Sequence, residues 1–357
     1  MSPGLHRALR MERKLMEYSK WDLDSLPIQC VWHRGRRVPL LKTLFSTICK
    51  NQCRYCALRK DRNVERLSWT PEKLVNTTLK LWRKGLITGL FLSSGMFSDP
   101  EVVVEKQVEV AYVLRRRGFT GYINLRLMPG TPKWLVWEAV KVADRVGVNV
   151  EAPDPSFFYE IAPDKGSFRH DILGVLEHAS RAWKFMGKRK VLKAGIATQM
   201  IVGLAETDRD CILTTFRLIR NLDVTRVYYS PFQPIKNTPL ENRSPCPISR
   251  AQRLYQAFFL LRDYFFSLKD LESLLDSKGM LPVTDNIKEA YAKLNPHLYP
   301  IDVNTASYRE LLKIPTVGPR RALKIMQVRK ERKLRAEDLK VLLGKKNFKR
   351  AVRYIAF

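Results

Sequence analysis

The chain is short of cysteine and contains no long apolar segment. Six cysteines in 357 residues are too few for a disulfide framework, so we expect a reducing compartment such as the cytoplasm, where clustered cysteines indicate a metal or catalytic site. No run of about 20 apolar residues occurs, so the sequence predicts no membrane-spanning helix. The stretch Met1–Lys20 is charged and lacks the apolar region of a secretory signal. The sequence thus predicts a cytoplasmic protein with no membrane partner.

Acidic residues are also scarce: the chain has 35 Asp and Glu but 64 Lys and Arg, which gives a net charge of +29. A surplus of this size predicts a polyanionic partner, most simply nucleic acid; a membrane surface is the weaker alternative, and a basic protein without such a partner is the other. Hydrophobic residues at 45% exclude a mainly disordered chain. Since single cores usually stop growing at about 250–300 residues, we expect one large domain and a smaller one.

Short apolar runs alternate with longer amphipathic stretches from residue 40 onward. The apolar runs predict six strands: Leu44–Ile48, Ile87–Leu92, Tyr122–Leu127, Val146–Val150, Ala194–Val202 and Val224–Tyr229. The amphipathic stretches predict helices that begin near Pro71, Pro100, Pro132, Ser167 and Asp208. The alternation favours an α/β fold with parallel strands, as a partial (β/α) barrel or as a doubly wound open sheet. In both, ligands bind at the carboxyl ends of the strands.

Composition divides the chain into four predicted segments. Residues 1–39 form a basic N-terminal extension, and residues 40–235 carry the strand–helix alternation. Residues 236–299 form a connector and helical extension, which follows a proline-rich stretch and includes a predicted helix over about Ser249–Leu268. Residues 300–357 hold 16 Lys and Arg against 5 Asp and Glu, so we expect a separate basic domain there, all-α in structure.

Three cysteines lie close together in the spacing C-x3-C-x2-C, as Cys49, Cys53 and Cys56, on the loop after the first predicted strand. Thiolates are the ligands of iron–sulfur clusters and of zinc, so this loop predicts a soft metal centre. Three ligands are one short of the usual four. Either one metal position stays open, as catalysis requires, or the site is a structural zinc loop completed from elsewhere. The other candidate ligands are a histidine, Cys30, Cys211 and Cys246.

The cysteine spacing, with the aromatic Tyr55 directly before the last cysteine, resembles the signature of radical S-adenosylmethionine (SAM) enzymes. The resemblance extends over about residues 40–235 and implies a partial (β/α) barrel. It implies a [4Fe–4S] cluster on Cys49, Cys53 and Cys56, with SAM on the fourth iron. One electron from the cluster then cleaves SAM to methionine and a 5′-deoxyadenosyl radical. An electron donor such as flavodoxin or ferredoxin is implied as a partner.

The same resemblance implies SAM-binding residues at the strand ends. Ser93, Ser94 and Gly95 stand where the family often has a Gly-Gly-Glu-like motif for the SAM amino group, although the Glu is absent here. Glu151 matches a ribose-binding position. The adenine-contact motif and the wall of the adenine site are matched by Gln199, Ile201, Gly203, Tyr228 and Tyr229. Each match has a plainer interpretation: a glycine as a turn, Glu151 as a solvated carboxylate and the tyrosines as core residues.

Arg126 follows the third predicted strand and points toward the same face. It is a candidate for holding the SAM carboxylate or a substrate phosphate. A surface charge is the alternative interpretation.

Two short helical patterns flank a tight turn between Ile301 and Ala322. Asn304 or Thr305 is predicted to cap the first helix, and Pro319 suits the first position of the second. Exposed N–H groups there, beside basic side chains, predict a phosphate site made by Gly318, Arg320, Arg321 and Lys324. The pattern resembles the helix–hairpin–helix motif of DNA-binding and repair proteins, which implies contact with a nucleic-acid backbone. A plain helical hairpin or a protein-binding version is the alternative.

With both resemblances in one sequence, the chain is similar to a group of radical SAM proteins named for DNA modification or repair. They imply an enzyme acting on DNA or, as the weaker option, on RNA. Two further hypotheses remain at this stage: a radical SAM enzyme with a protein or small-molecule substrate, and a non-enzymatic nucleic-acid-binding protein with a zinc loop.

Overall fold

The computed structural model describes residues 28–33, 36–284 and 286–357. Most of the predicted extension 1–39, including the stretch Met1–Lys20, lies outside these residues. Contacts divide the chain into two compact units. The barrel unit comprises residues up to 204 together with 220–246, and the tail unit comprises residues 205–219 together with 247–357. The segment boundaries predicted near residues 40, 236 and 300 stay predictions.

The barrel unit is built on one sheet whose described strands follow each other in chain order. These strands are β1 (Ile28–His33), β2 (Arg36–Leu44), β3 (Gly89–Ser93), β4 (Tyr122–Arg126), β5 (Arg145–Gly147), β6 (Gly195–Val202) and β7 (Val224–Pro231). β1 pairs with β2 antiparallel, whereas β2 to β7 run parallel. The strand order never reverses, which excludes a doubly wound sheet. The six parallel strands form the predicted partial (β/α) barrel.

Two strands end earlier than the apolar runs suggest. The first predicted strand, Leu44–Ile48, is displaced, because β2 spans Arg36–Leu44 and shares only Leu44 with it; Phe45–Ile48 already belong to the loop that carries the cysteines. β5 stops at Gly147, because the Thr198 hydroxyl donates to the Val148 carbonyl at 2.7 Å and accepts from the Val150 N–H at 3.0 Å. A side chain thus takes the place of ladder hydrogen bonds beyond β5.

Helices connect the parallel strands. They are α1 (Pro71–Arg83), α2 (Pro100–Arg116), α3 (Lys133–Val142), α4 (Pro155–Ile161), a π-helical turn (Phe168–Leu173), α5 (Gly174–Met186) and α6 (Asp208–Leu222). Thr70 caps α1 ahead of Pro71, as predicted. α4 was not predicted; its cap is Asp154, which accepts from the Ser156 and Phe157 N–H groups. Leu90, Leu125 and other fully buried side chains form the core.

The tail unit is mainly helical and has a small apolar core of its own. Its elements after α6 are α7 (Ile248–Asp263), α8 (Leu268–Glu272), α9 (Ile287–Leu294), a 3₁₀ turn (Pro296–Leu298), β8 (Ile301–Asp302), α10 (Tyr308–Lys313), α11 (Pro319–Val328), α12 (Ala336–Leu343), α13 (Lys345–Ala351), a 3₁₀ turn (Val352–Tyr354) and β9 (Ile355–Ala356). Fully buried Leu311, Ile325 and Leu339 contribute to the core. In the part of the chain that the structure covers, no helix has the length and apolarity to span a membrane.

The cap of α10 differs from the prediction. Ser307 caps this helix, and Glu310 completes a capping box with the Ser307 N–H at 2.7 Å. Asn304 instead accepts a hydrogen bond from the Leu334 N–H at 2.8 Å and donates to the Leu334 carbonyl. The helix therefore begins later than the sequence pattern suggested, because Asn304 is engaged by a segment 30 residues away.

Asp223, which follows α6, ties the chain to α5. Its carboxylate accepts a hydrogen bond from the Ser180 hydroxyl at 2.6 Å and forms ion pairs with Lys184 and Lys188. Burial acts to raise the pKa of Asp223, but these bonds outweigh it and lower that pKa to about 2.

We expect Asp223→Asn to lower the free energy of unfolding by about 2 kcal/mol at pH 7. Because the pKa of Asp223 is lower in the folded than in the unfolded protein, the ionised carboxylate stabilises the fold at every pH above the unfolded-state pKa. This stabilisation is lost as the pH falls toward the folded-state pKa of about 2. Urea denaturation between pH 7 and pH 3 should therefore show the gap to the parent protein shrinking below about pH 4. Glu177→Gln, which breaks an exposed pair with Arg181 on α5, is the control. A gap that is independent of pH would contradict the assignment.

Candidate cofactor site

A cavity of about 310 Å³ opens at the carboxyl ends of the parallel strands. It lies where the fold class predicts a ligand site. Eleven of the residues predicted from the sequence line it together: Cys49, Cys53, Tyr55, Cys56, Ser93, Ser94, Gly95, Arg126, Glu151, Gln199 and Ile201. The topology thus brings four separate strand ends and the cysteine loop to one place.

The cysteine loop is held by bonds to its backbone. Arg66 donates hydrogen bonds to carbonyl oxygens of Thr47 at 2.7 Å, Leu58 at 2.8 Å and Arg59 at 2.7 Å. The Lys50 N–H adds a bond to the Met96 carbonyl at 2.8 Å. The guanidinium fork suits this role, because one planar group satisfies several carbonyls at once. The loop is therefore fixed mainly through its backbone; of the three thiols, Cys56 accepts a hydrogen bond from the Leu58 N–H at 3.4 Å.

Gly95 allows the loop after β3 to approach the cysteine loop closely. Its N–H donates to the Ser46 carbonyl at 2.7 Å. A Cβ at this position would collide with the carbonyl oxygen of Ile48, which is backbone and cannot swing aside. The glycine of the Ser93-Ser94-Gly95 stretch is therefore required by backbone contact as well as matching the SAM-amine position.

The donor set fits an iron–sulfur cluster in its chemistry. Among the described residues, no three His, Cys, Asp or Glu side chains already form a group able to hold a metal ion. Burial raises the pKa of the Cys53 thiol to about 12 and also raises the pKa of Cys56, although Lys165 lowers both in part. Because the thiolate is the ligand, metal binding must displace these protons. Three sulfur donors on one loop beside a buried cation suit an anionic cluster.

A second observation supports the fit of a polar ligand. Asn149 lines the same cavity, and its Oδ1 atom is buried with no hydrogen-bond partner in the described part of the structure. A buried acceptor of this kind costs free energy unless a ligand or water satisfies it.

Glu151 is paired inside the protein. Its side chain is 3% exposed and forms an ion pair with Lys165, which also reaches the Tyr55 hydroxyl at 3.5 Å. Burial acts to lower the pKa of Lys165, but Glu151 and Cys53 raise it above its ordinary value. Glu151 has a positive φ of 61°, in the left-handed region, which turns the chain after β5. The plainer interpretation as a solvated carboxylate is therefore wrong.

Lys165 was not predicted from the sequence. It lies in the loop between α4 and the π-helical turn, 14 residues after its partner. No periodicity or motif marks it, and the only signal is a charged residue followed by Gly166 in a loop near the strand ends.

Arg126 is buried rather than a surface charge. It is 4% exposed, lines the cavity and donates a hydrogen bond to the Ala197 carbonyl at 3.1 Å. The surface interpretation of this residue is therefore wrong, and the cationic group faces the site.

Gly203, Tyr228 and Tyr229 are predicted site residues outside the cavity lining, although Tyr228 pairs with Gln199 between β6 and β7. None of the three is among the described residues that line the cavity. Gly203 has a φ of 101°, and a Cβ there would collide with the side chain of Cys246, so packing requires the glycine. Tyr229 is 2% exposed. Contact of Gly203 and Tyr229 with adenine stays a prediction.

The predicted phosphate site lies at the start of α11. Gly318 is the N-cap and Pro319 follows it, as predicted, and no side chain caps this end of the helix. Arg320 and Lys324 are exposed, whereas Arg321 donates to the Thr316 carbonyl at 2.7 Å within the turn. The arrangement leaves two cations beside backbone N–H groups of a helix N-terminus.

A family model described as the Radical SAM superfamily matches residues 43–219. The FeFe-hydrogenase maturase subunit HydE of Thermotoga maritima is 26% identical over 199 residues, which are 56% of this chain and 52% of that protein. An uncharacterized protein of Methanocaldococcus jannaschii is 22% identical over 250 residues, covering 65% of this chain and 60% of its own length. The chain thus spans little more than half the length of these relatives.

Two solved structures have a similar fold, each with a TM-score of 0.50. The hydrogenase maturase HydG of Carboxydothermus hydrogenoformans is 17% identical, over 70% of this chain and 54% of that one. Methylornithine synthase PylB is 20% identical, over 73% of this chain and 71% of that one. At these identities the likeness bears on the fold, and it agrees with the partial barrel.

Lys165→Met should lower the free energy of unfolding by about 3 kcal/mol, because it leaves the Glu151 carboxylate buried without its partner. Adding Glu151→Gln should recover much of the loss. Urea denaturation measures both. Lys141→Met is the matched control, since its pair with Glu138 is exposed and should change stability by less than about 0.5 kcal/mol. Equal effects of the two lysine substitutions would contradict a buried pair.

Proposed function

We propose that this chain is a radical SAM enzyme that acts on nucleic acid, with DNA as the substrate; the match of residues 43–219 to the Radical SAM family model supports the first part. Radical SAM enzymes use a [4Fe–4S] cluster and SAM, which together supply reductive cleavage of SAM and abstraction of a hydrogen atom from the substrate. We propose Cys49, Cys53 and Cys56 as the cluster ligands, since all three line the cavity. The family match does not favour a structural zinc loop.

The other cavity residues would orient SAM. The Ser93–Gly95 stretch offers backbone carbonyls and hydroxyls to the SAM amino group in place of the missing Glu. Glu151 is proposed to accept ribose hydroxyls, and Lys165 positions it through their ion pair. Gln199, Ile201, Gly203 and Tyr229 remain the proposed adenine contacts. Apolar lining residues such as Met96, Met128 and Phe232 would exclude water from the reacting atoms.

The observation that carries DNA as the substrate is the exposed cationic start of α11. Arg320 and Lys324 are exposed near a helix N-terminus without a side-chain cap, whose backbone N–H groups suit a phosphate. These contacts read the backbone and not the bases. A base within a duplex would have to leave the stack to reach an enclosed cavity.

An electron donor is the second proposed partner. Radical SAM enzymes need a reductant, and flavodoxin or ferredoxin is the proposed class. RNA, a protein or a small molecule is the alternative substrate. The name of one relative, a hydrogenase maturase subunit, supports a protein or small-molecule substrate as the second candidate.

Cys53→Ala should abolish cluster binding, because two remaining thiolates cannot replace the third ligand. After anaerobic reconstitution with iron and sulfide, the parent chain should bind about four iron atoms and absorb light at about 400 nm. It should form 5′-deoxyadenosine when reduced with SAM present. Cys246→Ala, which removes a buried thiol outside the cavity lining, should retain the iron. Equal iron in both variants, or zinc in place of iron in the parent, would overturn the assignment.

Arg320→Gln with Lys324→Gln should weaken binding to duplex DNA and lower the slope of log K against log salt by about 1 for each lost phosphate contact. Fluorescence anisotropy across a salt series measures both quantities. Arg116→Gln with Arg117→Gln, on the exposed end of α2 and beyond it, is the control of equal charge. Unchanged binding in the α11 variant would favour a protein or small-molecule substrate.

A further inference from the structure

An aromatic strip lies on the outer surface of the barrel unit, between α3 and α5. Trp134 on α3 is 49% exposed, and Phe185 in the last turn of α5 is 80% exposed. Trp137, one turn after Trp134, contacts Phe185 with ring centroids 5.3 Å apart and ring planes tilted by 49°. We refer to Trp134, Trp137 and Phe185 as the aromatic strip. Adjoining exposed apolar side chains of this size indicate an interaction surface.

The sequence of α5 keeps Phe185 out of the core. Leu176 and Ala179 are among the residues that this helix buries. His178, Arg181 and Phe185 follow each other at intervals of three and four residues, so they share a different face of the helix. Phe185 therefore cannot enter the core unless the helix rotates, and its exposure follows from the residue pattern.

Cations from both helices border the strip. The Lys133 Nζ is 5.9 Å from the centroid of the Trp137 ring. Burial lowers the pKa of His178, Arg181 and Lys133 lower it further, and Glu177 acts against them. Arg181 also forms an exposed ion pair with Glu177 on its own helix. Because Lys133 on α3 and Arg181 on α5 both act on His178, positive charge from each helix lies beside the junction of the two helices.

A basic loop follows the strip in the chain. Between Glu177 and Glu206 the sequence has six Lys or Arg and no Asp or Glu. Residues 187–194 connect α5 to β6, and we refer to them as the basic loop. Lys188 is paired with Asp223, whereas the other cations of the loop form no ion pair within the part of the chain that the structure describes. These other cations, all exposed, are Arg189, Lys190 and Lys193.

The basic loop lies away from the cavity. It precedes β6, so it is at the amino ends of the parallel strands, whereas the cavity is at their carboxyl ends. An electron carrier has to approach the cysteine loop and is therefore not expected to dock at the opposite edge of the sheet. The surface instead suits a polyanion that extends over the outside of the barrel unit.

We propose that the aromatic strip and the basic loop bind a single-stranded segment of nucleic acid. The cations would contact phosphates, and the exposed faces of Trp134 and Phe185 would stack on bases. Rings beside cations match a single strand, which offers a phosphate and an uncovered base at each nucleotide, whereas the bases of a duplex are already stacked. An anionic membrane suits the surface less well, because His178 and Arg181 interrupt the face of α5 that carries Phe185.

The inference goes beyond the proposed function, because the surface includes no residue of the cavity lining or of α11. It shares with that proposal only a nucleic-acid partner. A target base would enter the cavity at the other edge of the sheet, so this surface would hold a part of the strand that flanks the target. Single-stranded DNA is then preferred over a continuous duplex.

The test is fluorescence anisotropy on the full chain with Arg320→Gln and Lys324→Gln present throughout, so that the start of α11 contributes little. The probes are an oligothymidylate of about 15 nucleotides, and an abasic strand and a duplex of the same length. We expect the oligothymidylate to bind most tightly. Phe185→Ala should weaken its binding about tenfold without changing that of the abasic strand, and Phe185→Tyr should retain it.

Removal of the loop charges tests the phosphate contacts. The triple variant with Arg189→Gln, Lys190→Gln and Lys193→Gln should weaken binding of the oligothymidylate and of the abasic strand alike. It should also lower the slope of log K against log salt by about 0.7 for each lost phosphate contact.

Two controls match these changes elsewhere on the barrel unit. Leu86→Ala removes a side chain that is 49% exposed, and it should leave binding of the oligothymidylate unchanged. A second triple variant removes the same number of exposed cations at the end of α1 and directly after it, and it should change the salt slope much less than the loop variant. Its substitutions are Lys80→Gln, Arg83→Gln and Lys84→Gln.

Equal affinity of the parent for the oligothymidylate and the abasic strand would overturn the inference, and so would equal losses in the loop variant and its control. Binding to phosphatidylserine vesicles that depends on Phe185, without base-dependent DNA binding, would overturn it in favour of a membrane. Thermal melts establish that each variant is folded, and the loop variant tests the inference where Phe185→Ala fails to fold. Formation of 5′-deoxyadenosine is measured separately, so failure of the proposed function leaves this result standing.

Discussion

The site depends on a loop whose backbone is fixed by residues other than its cysteines. Arg66 binds carbonyl oxygens along the loop, and Gly95 brings the adjoining strand end against it. Of the three thiols, Cys56 accepts a hydrogen bond within the loop, from the Leu58 N–H at 3.4 Å, and a metal would bind the thiolates after their protons leave. Similar support applies at Glu151, whose position is set by its left-handed backbone and by Lys165. Rigid support of this kind is what precise positioning of a cofactor requires.

The fold and most of the cavity were predictable because they rest on local signals. Thr70 with Pro71 marks a helix start in the sequence and in the structure, and the cysteine spacing places three thiols on one loop. Lys165 was not predictable, since a lysine in a loop belongs to no helical or strand pattern. Only the folded chain shows that it lies beside Glu151. The early end of β5 depends on one hydroxyl, that of Thr198. Ser307 caps α10 in place of Asn304, because a contact 30 residues away engages Asn304.

Electrostatics differ between the start of α11 and the cavity. At the start of α11 the cations are exposed, so salt weakens their effect, and in the proposed function they would attract and orient a long polyanion. In the cavity Arg126 is buried between aromatic rings, where screening by salt is small and geometry decides what is accepted. These two proposed binding places would thus use positive charge in physically different ways.

The tail unit is discontinuous, because residues 205–219 belong to it while residues 220–246 return to the barrel unit. A module acquired by simple gene fusion would occupy one uninterrupted stretch of chain. Here the polypeptide passes between the units more than once, so a single protease cut near residue 300 or 247 releases no complete module. Insertion or deletion of the basic region during evolution would have to leave α6 intact, because residues of this helix belong to both units. The chain is thus expected to be inherited, and to be engineered, as one piece.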